Sequence, residues 1–346
     1  MDHIAIDLGG RESQICVRDA AGQILQEHRL RTEQLAAFLQ KRPPGRVIVE
    51  TCAESLAVAD WAREFGHDVR LVPATLVRSL GVGARGVKTD RRDAQVLSEV
   101  SARIELPSVH LSSQTARQRK ALCASREVLV KARTKLINHC RGWQRTQVRR
   151  IRTGSSETFA ARMQHSQPEL PGHIGRVLQV VEQLCAQLCE LDKELSELAK
   201  SDELCKRLMT VPGVGPVTAV RFAAAIDEVE RFQSSHSLQS YLGLVPGERS
   251  SGDSKQRTGI TKAGDTRVRW TLVQAAWSAW RHRPNDPMVR WARQVAQRRG
   301  KHVAVVALAR KMAGILYAIW RDGTHYNPSL GAQWVDSDGV VHSPTP

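Results

Sequence analysis

Four carboxylate side chains stand where metal-dependent phosphodiester chemistry would need them. Asp7 ends a strand-like run, HIAID, and Glu50 ends another, RVIVE. Asp90 and Asp93 are three residues apart at the start of a helical pattern, so they share one face. Clustered carboxylates repel one another unless cations neutralise them, and oxygen-only donors select Mg²⁺ or Mn²⁺. Two such ions activate an attacking oxygen and stabilise a leaving oxygen.

Each of these carboxylates also has a purely structural explanation. A strand-end Asp often forms a turn, and Asp90 and Asp93 would pair with Arg91 and Arg92 on the surface. The metal interpretation is favoured because the predicted strand order brings all four acids to one end of a sheet.

A second candidate is the serine pair Ser250 and Ser251, which precedes Gly252 in a basic segment. Between Arg249 and Lys301 there are 13 basic and 3 acidic side chains. Serine needs a base, a metal or cationic surroundings to act as a nucleophile, and guanidinium groups bind phosphate and stabilise its developing charge. No histidine lies close in sequence, so a Ser-His-Asp hydrolase is not indicated. On composition alone, a flexible Ser/Gly loop that holds backbone phosphates is the simpler explanation.

The elements that would position the carboxylates alternate along the first third of the chain. Strand patterns cover residues 3–9, 14–19, 24–30, 46–50 and 68–73, and helical patterns cover 33–42, 55–66 and 89–103, the last with an N-cap at Thr89. The order βββαβαβα is typical of an RNase H-like domain, in which the first and fourth strands are neighbours. We expect residues 1–106 to form this α/β domain.

The positive charge lies elsewhere in the chain. The 346 residues carry a net charge of +16 and a pI near 10.1, which favours nucleic-acid partners and excludes an acidic disordered chain. Residues 1–106 hold 15 basic and 15 acidic side chains, residues 107–165 hold 13 and 2, and residues 201–346 hold 20 and 12. Two separate basic regions suit a protein that holds more than one nucleic acid.

The middle of the chain, residues 107–200, is predicted to be helical. A basic segment at 114–150 is followed, after a Gly/Ser/Pro-containing gap, by a heptad seam that runs for about 33 Å of helix. The seam consists of Val177, Val181, Leu184, Leu188, Leu191, Leu195 and Leu198. It fits one helix of an antiparallel hairpin and a dimerising coiled coil equally well.

The last part, residues 201–325, is predicted to be mainly helical. The segment LMTVPGVGPVTAVRF resembles a helix-hairpin-helix, in which Gly213 and Gly215 let the backbone approach a DNA phosphate; an ordinary corner between helices is the alternative. The tryptophans that follow are more often core residues than base-stacking platforms; they are Trp270, Trp277, Trp280, Trp291 and Trp320. Residues 326–346 are predicted to be a polar tail.

No segment predicts export or a membrane span. The N-terminus lacks a basic-then-apolar signal, and the apolar stretch HVAVVALARKMAGILYAIW carries Arg310 and Lys311, which makes it too charged and too short to span a bilayer. The seven cysteines have no Cys-x-x-Cys pair, so neither a disulfide framework nor a zinc site is indicated. We expect a cytoplasmic protein without a membrane partner.

Seven short motifs carry a family resemblance. They are IDLG at 6–9, VIVET at 47–51, KTDRRDA at 88–94, VPGVGP at 211–216, YLGLVP at 241–246, SSG at 250–252 and ITKAGD at 260–265. In this order they resemble the DEDD transposases of the bacterial insertion-sequence family IS110, relatives of Piv-type DNA invertases. Each motif alone is weak, but the set covers about residues 3–320.

The resemblance implies an architecture and a chemistry. It implies a RuvC-like domain, a coiled-coil middle and a helical transposase domain, with the four acids on Asp7, Glu50, Asp90 and Asp93 and the nucleophile on Ser251, or Ser250 as the fallback. It also implies donor and target double-stranded DNA, a non-coding bridge RNA that pairs with both, and a homodimer or homotetramer. Leu8-Gly9-Gly10-Arg11 departs from the Ser-Lys-containing stretch of many members.

The leading hypothesis is thus an RNA-guided DNA recombinase that uses Mg²⁺, or Mn²⁺, and a serine–phosphate intermediate. We expect its nucleic-acid contacts at Arg133, Lys135, Arg149, Arg150, Gly213, Gly215, Arg249, Lys255, Arg257, Lys262 and Arg267. The main alternative is a metal-dependent junction resolvase in which water attacks. A non-enzymatic nucleic-acid-binding protein and an actin-like ATPase rank below it, because the acidic set is intact and a second Gly-rich phosphate loop is not found.

Overall fold

The computed structural model describes residues 1–79, 90–251, 254–328, 334–335 and 341–342. The chain divides into two units, Met1–Ser112 and Ser113–Pro346. The four-part division predicted from the sequence, with boundaries after residues 106, 200 and 325, stays a prediction.

The first unit is built on a five-stranded sheet. Its strands are β1 (His3–Asp7), β2 (Glu12–Arg18), β3 (Ile24–Arg31), β4 (Arg46–Glu50) and β5 (Asp68–Val72), in the order β3-β2-β1-β4-β5. β1 pairs with β2 antiparallel and with β4 in parallel, and β4 pairs with β5 in parallel. The five predicted strands are confirmed, and the first and fourth are neighbours as expected.

Four helices cover the two faces of this sheet. They are α1 (Leu35–Gln40), α2 (Ser55–Glu64), α3 (Ala74–Ser79) and α4 (Asp90–Arg103). α1 and α2 pack on one face through residues such as Ile6, Val49 and Leu39, and α4 packs on the other through Leu97. β1 and β4 read as unbroken apolar runs because they are buried on both faces. α3 was not predicted, because its six residues are too few to show a helical period.

The second unit begins with two long helices that pack antiparallel. α5 (Gln114–Thr146) and α7 (Gly172–Ser201) are joined through the short α6 (Phe159–Ser166), which the sequence did not predict. Arg119, near the start of α5, pairs with Asp202 just after α7, and Arg126 Nε lies 2.5 Å from Asp192 Oδ1. The hairpin interpretation of the heptad seam is thus confirmed, and the coiled-coil dimer is not tested.

Only part of the heptad seam is buried inside the hairpin. Val181, Leu188 and Leu195 are 0–3% exposed. The other four seam residues, at 177, 184, 191 and 198, are half-buried. The hairpin therefore leaves one side of the predicted seam partly open to solvent.

The rest of the second unit is helical, and its described part also has two antiparallel pairs of strands. Its elements are α8 (Glu203–Leu208), α9 (Pro216–Ile226), α10 (Ser235–Tyr241), β6 (Pro246–Ser251), β7 (Ser254–Ile260), α11 (Thr266–His282), α12 (Pro287–Arg299), α13 (Lys301–Asp322), β8 (Trp334–Val335) and β9 (Val341–His342). One apolar core joins α8, α9 and α11–α13 to the end of the α5–α7 hairpin. Trp277, Trp280, Trp291 and Trp320 pack against it as predicted, whereas Trp270 is 61% exposed.

The apolar stretch near the C-terminus needs a correction. At 22 residues, α13 is long and apolar enough to cross a membrane by length and composition alone, so the sequence argument that it is too short and too charged was wrong. Nine of its residues, among them Leu308, Met312 and Leu316, are nevertheless buried in the protein core. Core burial accounts for its apolar character.

Candidate active site

Helix α4 packs on the sheet and runs antiparallel to β1. Two hydrogen bonds establish this direction. His3, at the start of β1, bonds through Nδ1 to Ser101 Oγ near the end of α4, at 2.8 Å. One turn nearer the start of α4, the Ser98 hydroxyl donates to Cys16 Sγ at 3.2 Å, and Cys16 pairs with Ala5 in the middle of β1. The start of α4 therefore lies toward the end of β1.

Asp7 and Glu50 lie at that same end, on the face that α4 covers. β1 and β4 pair in parallel and in register, so their last residues, Asp7 and Glu50, are side by side. Side chains alternate along a strand, so Asp7 shares a face with Ala5 and Glu50 shares it with Ile48. Both Ala5 and Ile48 pack in one cluster with Leu97 of α4.

Asp93 is the third carboxylate at this end. It precedes Leu97 by one helical turn on the same face of α4 and is only 5% exposed. The helix rises about 7.5 Å from Ser98 to Asp93. The strand rises about 6.6 Å from Ala5 to Asp7. Asp93 and Asp7 are therefore displaced by similar distances toward the same end of the sheet.

Asp90 completes the predicted set only in part. It is the first residue of α4, one turn before Asp93. Its side chain lies outside the described residues, as does Thr89, the predicted N-cap. The fold therefore places three of the four carboxylates at one end of one face and the backbone of the fourth on the same helix turn.

The chemistry of this donor set suits a hard divalent cation, and Asp7, Glu50 and Asp93 are not among the described groups of three ligands whose atoms lie within 4.8 Å of one another. The three described side chains offer only oxygen atoms, and the negative charge they gather at one end of the sheet is what such an ion neutralises. The two strand ends and the helix start are held by separate backbone elements, so the carboxylates are positioned before any ion binds.

Arg91 forms its hydrogen bonds with a residue outside the predicted carboxylate set. Its guanidinium donates to both carboxylate oxygens of Glu27 on β3, through Nε at 3.2 Å and through Nη2. Gln95 Nε2 donates to the same Glu27 at 2.6 Å. Arg91 holds the pKa of Glu27 below its ordinary value. The alternative that Arg91 serves as the surface partner of Asp90 or Asp93 therefore loses support.

The predicted nucleophiles lie on the hairpin of β6 and β7, here called the serine hairpin. Ser250 and Ser251 end β6, with Ser250 opposite Lys255 and Ser251 opposite Ser254. Gly252 and Asp253 lie outside the described residues, as do the side chains of residues 249–257, which include Arg249, Lys255 and Arg257. The backbone thus carries both serines at the far end of the hairpin from Pro246.

Close backbone contacts hold the segments that flank the serine hairpin, here called the base of the hairpin. A Cβ on Gly264 would lie 1.9 Å from the Tyr241 carbonyl oxygen, and Gly243 has φ +66°. Arg269, which is 7% exposed, donates from Nη1 to the carbonyl oxygens of Leu242 and Gly264 at 3.0 and 2.9 Å. The YLGLVP and ITKAGD motifs therefore together position the base of the hairpin.

Sequence reasoning missed Arg269, although a signal was present. Arg269 falls on the buried side of α11, three residues before Leu272 and seven before Ala276. An arginine at an apolar position of an amphipathic helix must find buried acceptors, and here these are backbone carbonyls.

The predicted nucleic-acid contacts differ in their surroundings. Lys135, Arg149, Arg150 and Lys262 are exposed, and Arg267 lies 3.5 Å through Nε from Glu127 Oε2 with 58% of its side chain exposed. Arg133 is the exception, because its side chain is only 15% exposed and its Nη1 lies 2.9 Å from Glu157 Oε1. We therefore assign Arg133 to the packing of α5.

Helices α8 and α9 flank the segment with Gly213 and Gly215 as predicted, and contact of this turn with DNA stays a prediction. Gly213 has φ +88°, and a Cβ there would lie 2.2 Å from the Ala275 carbonyl oxygen and 2.8 Å from the Ala279 nitrogen. The close approach that Gly213 permits is thus to α11. Gly215 is the N-cap of α9 with no described atom within 4 Å of its Cβ position, so it is the better placed of the two for a phosphate.

Comparison with known proteins identifies the family. A sequence model described as "Transposase IS116/IS110/IS902 family" matches residues 205–289, and a DEDD transposase model of the IS110 type matches residues 4–143. The second model suggests the use of a divalent metal ion.

Whole-length relatives agree with these matches. A "Probable family 20 transposase" of Pseudomonas aeruginosa is 29% identical over 95% of this chain and 99% of its own length. The "Transposase for insertion sequence element IS1111A" of Coxiella burnetii is 29% identical over 91% of this chain and 88% of its own. A "Putative transposase y4qE" of Sinorhizobium fredii is 30% identical over 75% and 71%.

The mixed α/β unit with its strand-end carboxylates and the basic helical unit define a DNA transposase of the insertion-sequence class. The chain belongs to the IS110/IS116/IS902 family of these enzymes.

Proposed function

We propose that this transposase is an RNA-guided, site-specific DNA recombinase that breaks and rejoins strands through a serine–phosphate linkage. The observation that supports the metal-dependent part is the placement of Asp7, Glu50 and Asp93 toward one end of one sheet face. The same arrangement favours an RNase H-like, RuvC-like assignment for the first unit.

In the proposed chemistry, Asp7, Glu50, Asp90 and Asp93 would hold Mg²⁺, or Mn²⁺. When bound there, such an ion would supply stabilisation of negative charge on the phosphate and on the leaving oxygen. The carboxylates would hold the ion in a fixed place, because each belongs to a strand end or a helix start.

Ser251 is the proposed nucleophile. Its Oγ forms a bond to phosphorus as the bond from phosphorus to a deoxyribose oxygen breaks; the serine loses its proton and the leaving hydroxyl gains one. The energy of the phosphodiester is retained in the new linkage, so a second strand can displace the serine and restore the DNA. Arg249, Lys255, Arg257 and Lys262 of the same segment would hold the phosphate.

The guide RNA and the oligomer are also proposals. Support for a second nucleic acid comes from the separation of the basic segment at 107–165 from the basic segment around the serine hairpin. Support for a homodimer comes from the half-buried seam residues Leu184 and Leu191 of α7, since a second copy would cover them. Sequencing of RNA that copurifies with the protein tests the guide directly.

A thermal shift experiment tests the metal site. We expect Mg²⁺ or Mn²⁺ to raise the melting temperature of the native protein, because an ion that binds only the folded state stabilises it. Asp93→Asn should lose this response, because the ion would lose one of its oxygen ligands. Glu64→Gln, at an exposed position of α2, is the matched control and should respond as the native protein does. An unchanged metal response in Asp93→Asn would reject the site.

The second candidate function is a junction resolvase that uses the same carboxylates with water as the attacking group. It is favoured by the fact that the metal end of the sheet needs no residue of the second unit to be assembled. Only the serine chemistry separates the two, because hydrolysis forms no bond between protein and DNA.

A further inference from the structure

The helices α11, α12 and α13 carry a concentration of positive charge that the proposed chemistry does not use. Between Pro287 and Arg321 there are eight Lys and Arg residues and no Asp or Glu. Arg293 and Lys301 are exposed members of this charged region, and Arg281, near the end of α11, is exposed as well.

Two tryptophans hold these three cations in place. Lys301 Nζ lies 5.1 Å from the ring centroid of Trp277 and 5.8 Å from that of Trp280. The Arg281 guanidinium carbon lies 5.7 Å from Trp277, and that of Arg293 lies 5.6 Å from Trp280. The two indoles pack edge to face at 6.4 Å and are anchored against the apolar core. We call these five residues the tryptophan–cation cluster.

The cations of the cluster have no acidic partner in the part of the chain that the structure describes. The carboxylate nearest in sequence, Asp286, accepts from the Tyr326 hydroxyl at 2.9 and 3.1 Å and from the Met288 amide at 3.0 Å. Three like charges are thus gathered by indole rings and left without a counter-charge. Such an arrangement is suited to an anion with several negative groups.

We infer that the tryptophan–cation cluster is a binding surface for the phosphate backbone of duplex DNA, away from the reacting phosphates. The family's action on DNA supplies the partner. Side chains already ordered by cation–π contact lose less conformational freedom when they meet phosphates, so the cluster is pre-organised for this contact.

The ring contacts favour duplex over single-stranded nucleic acid. Binding of a single strand depends on aromatic faces that are free to stack on bases. Here each indole carries cations of the protein over its ring, so a base would have to displace them. Phosphate contact requires no such displacement, and it positions a duplex without reading its sequence.

The test measures how strongly salt weakens the binding of the full-length protein to a 30-base-pair duplex of arbitrary sequence. Binding is followed by fluorescence anisotropy, and the duplex is about three helical turns long. Removing three phosphate contacts lowers the slope of log Kd against log salt concentration by about 2.7. We expect this change in the combined variant Arg281→Gln, Arg293→Gln and Lys301→Gln, with at least about a tenfold loss of affinity at ~0.1 M salt.

A charge-matched control separates the cluster from net charge. The combined variant Lys41→Gln, Arg63→Gln and Arg176→Gln also removes three exposed cations, but from positions outside the cluster, and should keep the native slope. A native slope in the cluster variant, or an equal change in both variants, would overturn the proposal. So would a loss confined to a single-stranded DNA or RNA of the same length.

A second variant tests the role of the rings. Trp280→Leu retains every cation but removes one indole, and we expect a roughly threefold loss of affinity with an unchanged salt slope. Full native affinity in a variant that keeps its melting transition would contradict the pre-organising role. Neither measurement requires Ser251 or a metal ion, so failure here and failure of the proposed function are distinguishable.

Discussion

Lys262 is held in a backbone conformation that lysine rarely adopts. Its φ is +58°, its side chain is exposed, and its amide donates to the Gly243 carbonyl at 3.1 Å. Asparagine tolerates this region better, so we expect Lys262→Asn to raise the free energy of unfolding by about 0.5–1 kcal/mol. If Lys262 also binds phosphate, the same variant should bind DNA more weakly. Chemical denaturation and anisotropy on one preparation measure both effects.

Val148 offers a matched control for this prediction. It has φ +56° and is 95% exposed just after α5, so Val148→Asn should relieve comparable strain. It carries no charge, and DNA affinity should therefore stay at the native value. A parallel loss of affinity in both variants would show that the DNA effect of Lys262→Asn is not due to the lost charge.

Lys311 makes stability depend on pH. Burial lowers its pKa from 10.5 to about 8, even though its Nζ lies 4.9 Å from the ring centroid of Trp291. Between about pH 8 and pH 10.5 the unfolded chain binds more protons at this residue than the folded chain does, so its contribution to the free energy of unfolding rises with pH.

We expect Lys311→Met to melt above the native protein at pH 7, because a buried charge is replaced by an apolar side chain of similar length. The difference in melting temperature should shrink as the pH rises from 8 toward 10.5. A difference that is constant with pH would show that the lysine is not titrating in this range.

At the scale of elements, the position of the serine hairpin depends on close backbone contacts that only glycine permits. Gly264→Ala would place a Cβ 1.9 Å from the Tyr241 carbonyl oxygen. We expect it to lower the free energy of unfolding by about 3 kcal/mol, because two backbone segments must separate. Gly259→Ala, on exposed β7 with no described atom within 4 Å, should change it by less than about 0.5 kcal/mol. Equal effects in a urea titration would contradict this account of the motif.

The sequence predicted elements well where their period or their apolar run was long enough to read. The five strands and helices α1, α2 and α4 were found, because apolar runs such as VIV and the amphipathic pattern of α2 are explicit in the chain. The helices α3 and α6 were missed, because six and eight residues give less than three turns of pattern. The heptad seam of α7 was predicted, but the sequence could not decide whether the seam packs against α5 or against a second copy of the chain.

The neighbouring ends of β1 and β4 were predictable for a similar reason. A strand order fixed by pattern places the ends of β1 and β4 together, so Asp7 and Glu50 follow from it. The anchoring of α4 was not predictable, because the bonds of Ser98 and Ser101 join residues 82 and 98 positions apart. The same holds for Arg269 and for the cations over Trp277 and Trp280, since ring contacts between three helices depend on tertiary packing.

At the scale of the whole molecule, charge and chemistry are divided between different parts of the chain. The residues that form the sheet and its carboxylates are neutral overall, whereas the basic side chains are concentrated in segments of the second unit. Basic segments of the second unit suit contact with nucleic acid, whereas the carboxylates of the first unit would be neutralised by a cation. Salt should therefore weaken DNA binding more steeply than it weakens metal binding.

The central claim is that a serine of β6 attacks DNA at a site served by the carboxylates of β1, β4 and α4. The most direct measurement is a search for a denaturation-resistant protein–DNA adduct, formed on donor DNA with Mg²⁺ and guide RNA present. We expect the adduct in the native protein and in Ser250→Ala, and its loss in Ser251→Ala and Asp93→Asn. Strand cleavage without any adduct in the native protein, or an undiminished adduct in Ser251→Ala, would contradict the claim.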